Sequence, residues 1–227
     1  MKKIGTSLIC AALIISSCGL TNTASGSLIG SGAGAALGAG IGYLISKDGK
    51  GAAIGAAIGT AVGGGTGAII GKQMDKKAEE LAALENAQVE TVEDANGLKA
   101  IKVTFASGIL FPTNGTKLSK TAQKELTQFA KEMADLPDTD ITVIGHTDNT
   151  GTAEVNERIS GQRAASVATL LNNQGIAASR LKAEGHSFNE PVADNATAEG
   201  RAQNRRVEVY ISANADMIKA AEAEAAK

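Results

Sequence analysis

An acid and a base stand fifteen residues apart in the C-terminal half of this 227-residue chain, in surroundings that suit them to hold the two ends of one small molecule. Asp148 closes the segment Gly145-His146-Thr147-Asp148, directly after the apolar run Ile141 to Ile144, which reads as a short buried strand. Loops at strand ends gather ligand contacts, and a carboxylate there is a natural partner for an ammonium group. Arg163 lies in the run Arg158-Ile159-Ser160-Gly161-Gln162-Arg163-Ala164. With Ser160 as a helix N-cap and Ile159 and Ala164 as a small staple, Arg163 falls in the first turn, where a guanidinium beside free backbone N–H groups suits a carboxylate. Held a few ångströms apart, the two side chains recognise a zwitterionic amino-acid head group. The competing use is an ordinary salt bridge joining loop to helix.

Other chemistry finds little support. His146, Asp148 and Ser160 are the ingredients of a hydrolase triad, but no nucleophile-elbow pattern surrounds the serine, so no catalytic residue is expected. His146 and His186 lie on different predicted strands without paired spacing, and Cys10 and Cys18 build no thiolate cluster, so neither a metal site nor another cofactor is expected. A net charge of -2, 3% aromatic residues and no Trp leave neither a basic nor a stacking surface for nucleic acid. Arg205 and Glu208, beside Val207 and Val209, read as structural or surface charges on a last strand, and Asn195-Ala196-Thr197 reads as a turn and helix cap.

The elements that must position this pair form an α/β unit over residues 88 to 212. Val89 and Val92 precede the turn Asn96-Gly97, and Leu98, Ile101, Val103 and Phe105 follow it, which predicts a β-hairpin. Ser119 caps a helix with the stripe Ala122, Leu126, Phe129 and Met133, ended by Pro137. After the Ile141 strand, a helix carrying Val167, Leu170 and Leu171 ends near Gly175, and strands follow at Leu181 to Gly185 and Arg206 to Ile211. Strand, helix, strand, helix, strand predicts a two-layer βαβαβ sandwich.

The segments Gly145 to Gly151, Arg158 to Ala164 and Asn204-Arg205-Arg206-Val207-Glu208-Val209, in this order and spacing, resemble the peptidoglycan-binding domain of the OmpA family. The resemblance implies a role as a cell-wall anchor, with Asp148 and Arg163 binding the amino and carboxylate groups of diaminopimelate in the peptidoglycan stem peptide. It also implies contacts from Thr150, from Asn156 as the Asn before the helix, and from Arg206 as the Arg of the Asn-Arg-Arg segment. Ile159 stands where Leu is usual, and Pro112 follows Phe111 where an acidic residue is frequent.

The first half of the chain points to a membrane. Lys2 and Lys3, an apolar run from Ile4 to Ile15 and Ser16-Ser17 precede Cys18, which resembles the lipobox of bacterial lipoproteins. This implies a signal peptide over 1–17, lipidation of Cys18 and a tether over 18–27; a plain secretory signal or an uncleaved anchor is the other reading. Glycines then recur every fourth residue at 30, 34, 38 and 42, and from 51 through 55, 59, 63 and 67 to 71. A stripe without Cβ atoms lets helices approach closely, so residues 28–71 predict a glycine-zipper helical hairpin, with a flexible tether as the alternative. Met74, Ala78, Leu81 and Leu84 among Lys and Glu predict a helical spacer over 72–87, either solvated, lying on the next domain, or paired with a second copy. Residues 213–227 form an Ala-rich tail with helical character.

Over its whole length the chain resembles YiaD-type glycine-zipper lipoproteins. That implies a non-catalytic outer-membrane lipoprotein, its C-terminal domain in the periplasm, binding peptidoglycan at one end and the membrane at the other. An oligomeric membrane-inserted channel or assembly factor built on the hairpin is the second reading. No succession of alternating strands for a transmembrane barrel precedes residue 88.

Overall fold

A computed structural model describes residues 64–94, 96–112 and 114–227. The signal segment, Cys18 and most of the predicted hairpin lie outside these residues. Among the described residues, no helix is long and apolar enough to cross a membrane.

Helix α1 (Gly65–Leu81) leads into the hairpin β1 (Ala87–Glu93) and β2 (Lys99–Ala106). A single helical turn, α2 (Ser107–Leu110), precedes α3 (Lys120–Glu132), β3 (Thr139–Gly145) and the long α4 (Ala153–Asn173). A 3₁₀ turn at Ala178–Arg180 then enters β4 (Leu181–Gly185), followed by α5 (Ala198–Asn204), β5 (Arg206–Ala213) and α6 (Ala215–Ala225). The strands form one sheet in the order β1-β2-β5-β3-β4. β5 lies in the middle, antiparallel to both β2 and β3, while β3 and β4 run parallel and are joined across α4. The predicted α/β sandwich is therefore present, with the hairpin adding an edge strand.

Period-two alternation builds the core. Ile101, Val103 and Phe105 of β2, Val207, Val209 and Ile211 of β5, and Ile141 and Val143 of β3 turn to one face of the sheet. There they meet Leu126, Phe129 and Met133 near α3 and Val167 and Leu171 of α4. The turn at Asn96-Gly97 forms as expected: Gly97 takes φ +70°, and buried Asp94 accepts the backbone N–H of Asn96 at 2.8 Å and of Leu98 at 2.9 Å. Ser119 caps α3, accepting from the N–H of Ala122.

The spacer differs from a solvated rod. Its helix starts at Gly65, so the last residues of the predicted second hairpin arm belong to it, and it lies on the domain with Ile70, Met74 and Leu81 fully buried. Lys77 is buried among α1 and the end of α3. Its ammonium donates to Glu80, to Asp135 at 2.6 Å and to the carbonyl oxygen of Glu132 at 2.7 Å. The Ala-rich tail covers the same helix: Asn214 caps α6, whose Met217 and Ala221 are buried, and Gly65 admits Ala225 so closely that a Cβ at 65 would stand 3.0 Å from its methyl group. The narrow apolar stripe of α1 suffices because the tail and the sheet share it.

Candidate functional site

Two glycines set the position of α4. β3 ends in Gly145 and β4 in Gly185, paired in register, and a Cβ on either would collide with the backbone of Ser160 or Gly161. The helix therefore packs backbone to strand end, and Arg163 follows one turn further on. Ser160 is not the N-cap. That role falls to Thr152, which accepts from the N–H of Val155, so Ser160 lies inside α4 with no exposure, donating to the carbonyl of Glu157 and accepting from the N–H of Ser187. The staple between Ile159 and Ala164 falls with it, and Arg163 stands well beyond the first turn. The helix starts earlier because Thr152 is also a good cap and nothing in 153–159 breaks a helix.

Arg163 is buried to 6% exposure, yet only part of its guanidinium is committed. Nε donates to the carbonyl of Gly115 at 3.0 Å, and the guanidinium carbon lies 5.3 Å from the centroid of the Phe111 ring. Pro112 serves this contact: its carbonyl accepts the N–H of Gly115 in the turn that aims the Gly115 carbonyl at Arg163, with Asn114 at φ +57°. Burial lowers the Arg163 pKa, Arg205 lowers it further and Asp148 opposes them. Arginine stays cationic under such shifts, and the causes show that the three charges share one neighbourhood.

Asp148 is nearly as buried, at 8% exposure. One carboxylate oxygen accepts the N–H of Thr150 at 2.8 Å, and the other accepts from Arg205 at 2.6 Å. Burial works to raise its pKa, but Arg205 and Thr150 outweigh burial and hold the carboxyl below its usual range. The group is ionised at neutral pH. Asn156 lies within α4, not before it, and donates from its side chain to the carbonyl of Thr150 at 3.0 Å, which pins the loop carrying Asp148; Thr150 itself is exposed.

The two arginines of the Asn-Arg-Arg segment part company. Consecutive residues of an extended chain point to opposite sides, so Arg206 turns inward and Arg205 outward to Asp148. Arg206 is 5% exposed and is engaged within the protein: Nε donates to Glu208 at 2.8 Å, and its terminal nitrogens reach the carbonyls of Asn204 and Glu190. Arg206, expected to contact ligand, is thus held in an internal ion pair with Glu208. Arg205, read as a structural charge, is the arginine beside Asp148. Two adjacent arginines carry no signal that chooses between them until the first residue of β5 is known. Asn204, fully buried, holds the approach by accepting the N–H groups of Val192 and Ala193 and donating to Asn195.

A cavity of about 740 Å³ lined by Gln88, Glu90, Lys102, Thr104, Arg206 and Glu208 includes neither Asp148 nor Arg163. The opposed and buried charges of Asp148 and Arg163, with Arg205 beside them, make the Asp148 region the stronger candidate for recognition.

Residues 110–205 match the model of the OmpA family. This is an OmpA-like domain. Residues 1–75 match a second model, the YMGG-like Gly-zipper, which covers the glycine repeat. The chain is 41% identical over 112 residues to the probable lipoprotein YiaD of Escherichia coli, covering 49% of this chain and 51% of that protein. It is 37% identical over 113 residues to the peptidoglycan-binding protein ArfA of Mycobacterium tuberculosis, covering 50% of this chain and 35% of ArfA. The chain thus spans about half the length of the one relative and about a third of the other. Among solved structures, the cell wall anchor of the T6SS from Pseudomonas aeruginosa superposes with a TM-score of 0.53 at 32% identity, over 62% of this chain and 97% of that one. The matched OmpA-like region contains Asp148, Thr150, Asn156 and Arg163 and ends at Arg205, the partner of Asp148.

Proposed function

We propose that this chain is a non-catalytic envelope anchor whose OmpA-like domain grips the diaminopimelate residue of the peptidoglycan stem peptide, while lipid on Cys18 holds the other end in the outer membrane and the domain stands in the periplasm. The observation that carries the reading is the opposition of an ionised, loop-pinned Asp148 and an incompletely committed Arg163 on one surface. A carboxylate and a guanidinium near enough to feel each other's charge offer complementary partners for the ammonium and carboxylate of an amino-acid head group. Thr150 lines the approach, and Asn156 acts by holding the Thr150 loop. Arg205 takes the place that the sequence assigned to Arg206. Support comes from the matched family model and from relatives whose names describe wall binding and wall anchoring.

The experiment is retention of the full chain, purified in detergent, on sedimented diaminopimelate-type peptidoglycan, beside Asp148→Ala and Arg163→Ala. Retention should drop at least about tenfold in each variant, since losing one partner of a buried charge-assisted contact costs several kcal/mol. Circular dichroism must show both variants folded. Retention unchanged in both folded variants would remove this site from the function and leave the glycine-zipper segment, with an oligomeric membrane role, as the reading to pursue.

A further inference from the structure

The parallel pairing of β3 and β4 has a second product, on which the wall-binding reading does not draw. Gly145 and Gly185 are register partners, so the residues after them, His146 and His186, emerge side by side at the same end of the sheet. Their rings pack edge to face with centroids 5.6 Å apart, and each residue is only 1% exposed. Glu190 closes the group: one ligand atom from each of the three residues lies within 4.8 Å of the others. From this geometry we infer that His146, His186 and Glu190 form a binding site for one divalent cation of the zinc class.

Neither ring nitrogen of His146 has a hydrogen-bond partner among the described residues, so a buried imidazole is left with unused lone-pair capacity. His186 is oriented as a metal-binding imidazole usually is. Its Nε2 lies 3.0 Å from Glu184, which fixes the ring, and its Nδ1 lies 3.0 Å from Glu190, the candidate third ligand. Glu208 stands 3.5 Å from Nε2 of His146, outside the hydrogen bonds formed here, and adds a nearby carboxylate. A tetrahedral zinc ion, with bonds of about 2.0–2.1 Å, sets neighbouring ligand atoms about 3.4 Å apart. Glu190 already stands 3.0 Å from Nδ1 of His186, so closing the cluster needs His146 to approach by an adjustment on the order of an ångström, while the Glu190 side chain, 34% exposed, opens the group to solvent.

The local charge allows a dication. Glu184, Glu190 and Glu208 bring three negative charges, against Arg206, paired with Glu208, and Lys182, paired with Glu184. With neutral imidazoles the surroundings are net negative. Two imidazole nitrogens and one carboxylate suit zinc and its first-row neighbours, whereas calcium and magnesium require a shell of oxygens. Three protein ligands leave a fourth position for water.

The test uses the untagged full chain, stripped with a chelator and titrated with zinc by calorimetry, and with cobalt(II) by its visible absorption. One equivalent should bind in the micromolar range or tighter, with the ligand-field bands of a tetrahedral cobalt site, and neither calcium nor magnesium should compete at millimolar concentration. His186→Ala should abolish the site, and Glu190→Ala should weaken it at least about tenfold, by analogy with the effect of losing outer partners of metal ligands. Glu190→Ala alters a partly exposed side chain, so it decides the matter should His186→Ala fail to fold. Absence of saturable zinc binding, or zinc binding undiminished in folded Glu190→Ala, would overturn the site and leave His186 as a structural link between Glu184 and Glu190.

Discussion

Arg163 reaches its place through two residues that carry no functional group. Gly145 and Gly185 bring α4 into backbone contact with the strand ends, and any Cβ there meets the backbone of Ser160 or Gly161. Gly145→Ala should cost about 1–3 kcal/mol by overpacking and lower wall retention as Arg163 shifts. Gly161 differs: it lies inside the same helix with nothing near its Cβ position. Gly161→Ala should be stabilising by about 0.5–1 kcal/mol through helix propensity. Urea unfolding of the pair checks both signs, and equal effects would refute the close-approach argument. Asp94 offers a pH-dependent case. Burial raises its carboxyl above the usual range, against the backbone bonds that it accepts from Leu98 and Asn96. A raised carboxyl contributes stability that is complete below the unfolded pKa of about 3.9 and lost as pH rises through the folded value. Asp94→Asn keeps an acceptor oxygen and removes the charge, so its stability relative to the parent should rise between pH 3 and pH 7. Asp94→Ala strands two N–H groups and should lose about 1–3 kcal/mol at either pH.

Among the elements, α1 takes one of the arrangements that its sequence left open, lying on the domain. Periodicity showed a narrow stripe but not the surface it meets, because β2, α3 and α6 come together on it only after folding. Lys77 joins it to the end of α3, where Asp135 and Glu80 hold its ammonium against burial and raise its pKa on balance, while Lys77 holds Asp135 low. The link is thus complete across neutral pH and loosens only in acid, as Asp135 takes up a proton, or in strong base. Asp135 is largely exposed, so solvent screening limits the gain. Lys77→Met should cost about 1–2 kcal/mol and show chiefly as faster amide hydrogen exchange in α1. Deleting residues 214–227 should act on the same helix from its other side. Faster exchange confined to α1, with β5 still protected, is the expected pattern; uniform loss of protection would mean that α6 supports the whole fold instead.

For the whole molecule, the described residues enclose one core, from Ile70 of α1 to Ala221 of α6. A fragment of residues 64–227 should therefore unfold in a single transition, with near- and far-ultraviolet circular dichroism coincident, and should bind peptidoglycan as tightly as the full chain. Two separated transitions would mean that α1 and α6 form a unit of their own. A fragment beginning at residue 88, as the sequence reading would cut it, removes Ile70, Met74 and Leu81 and should melt lower.

The sequence by itself determined the alternation of β2 and β5, the Asn96-Gly97 turn, the Ser119 cap, the order of elements, and Asp148 and Arg163 as an acid and a base to be weighed together. Each rests on local information: side-chain period, turn residues, caps and the spacing of a motif. Tertiary structure decided the rest. The choice between Arg205 and Arg206 waited on where β5 begins, since a one-residue shift in an extended strand reverses the direction of a side chain. The place of Ser160 waited on strand ends too tight for anything but helix backbone. The meeting of His146 and His186, forty residues apart, depended on the parallel register of β3 with β4, which no spacing along the chain encodes.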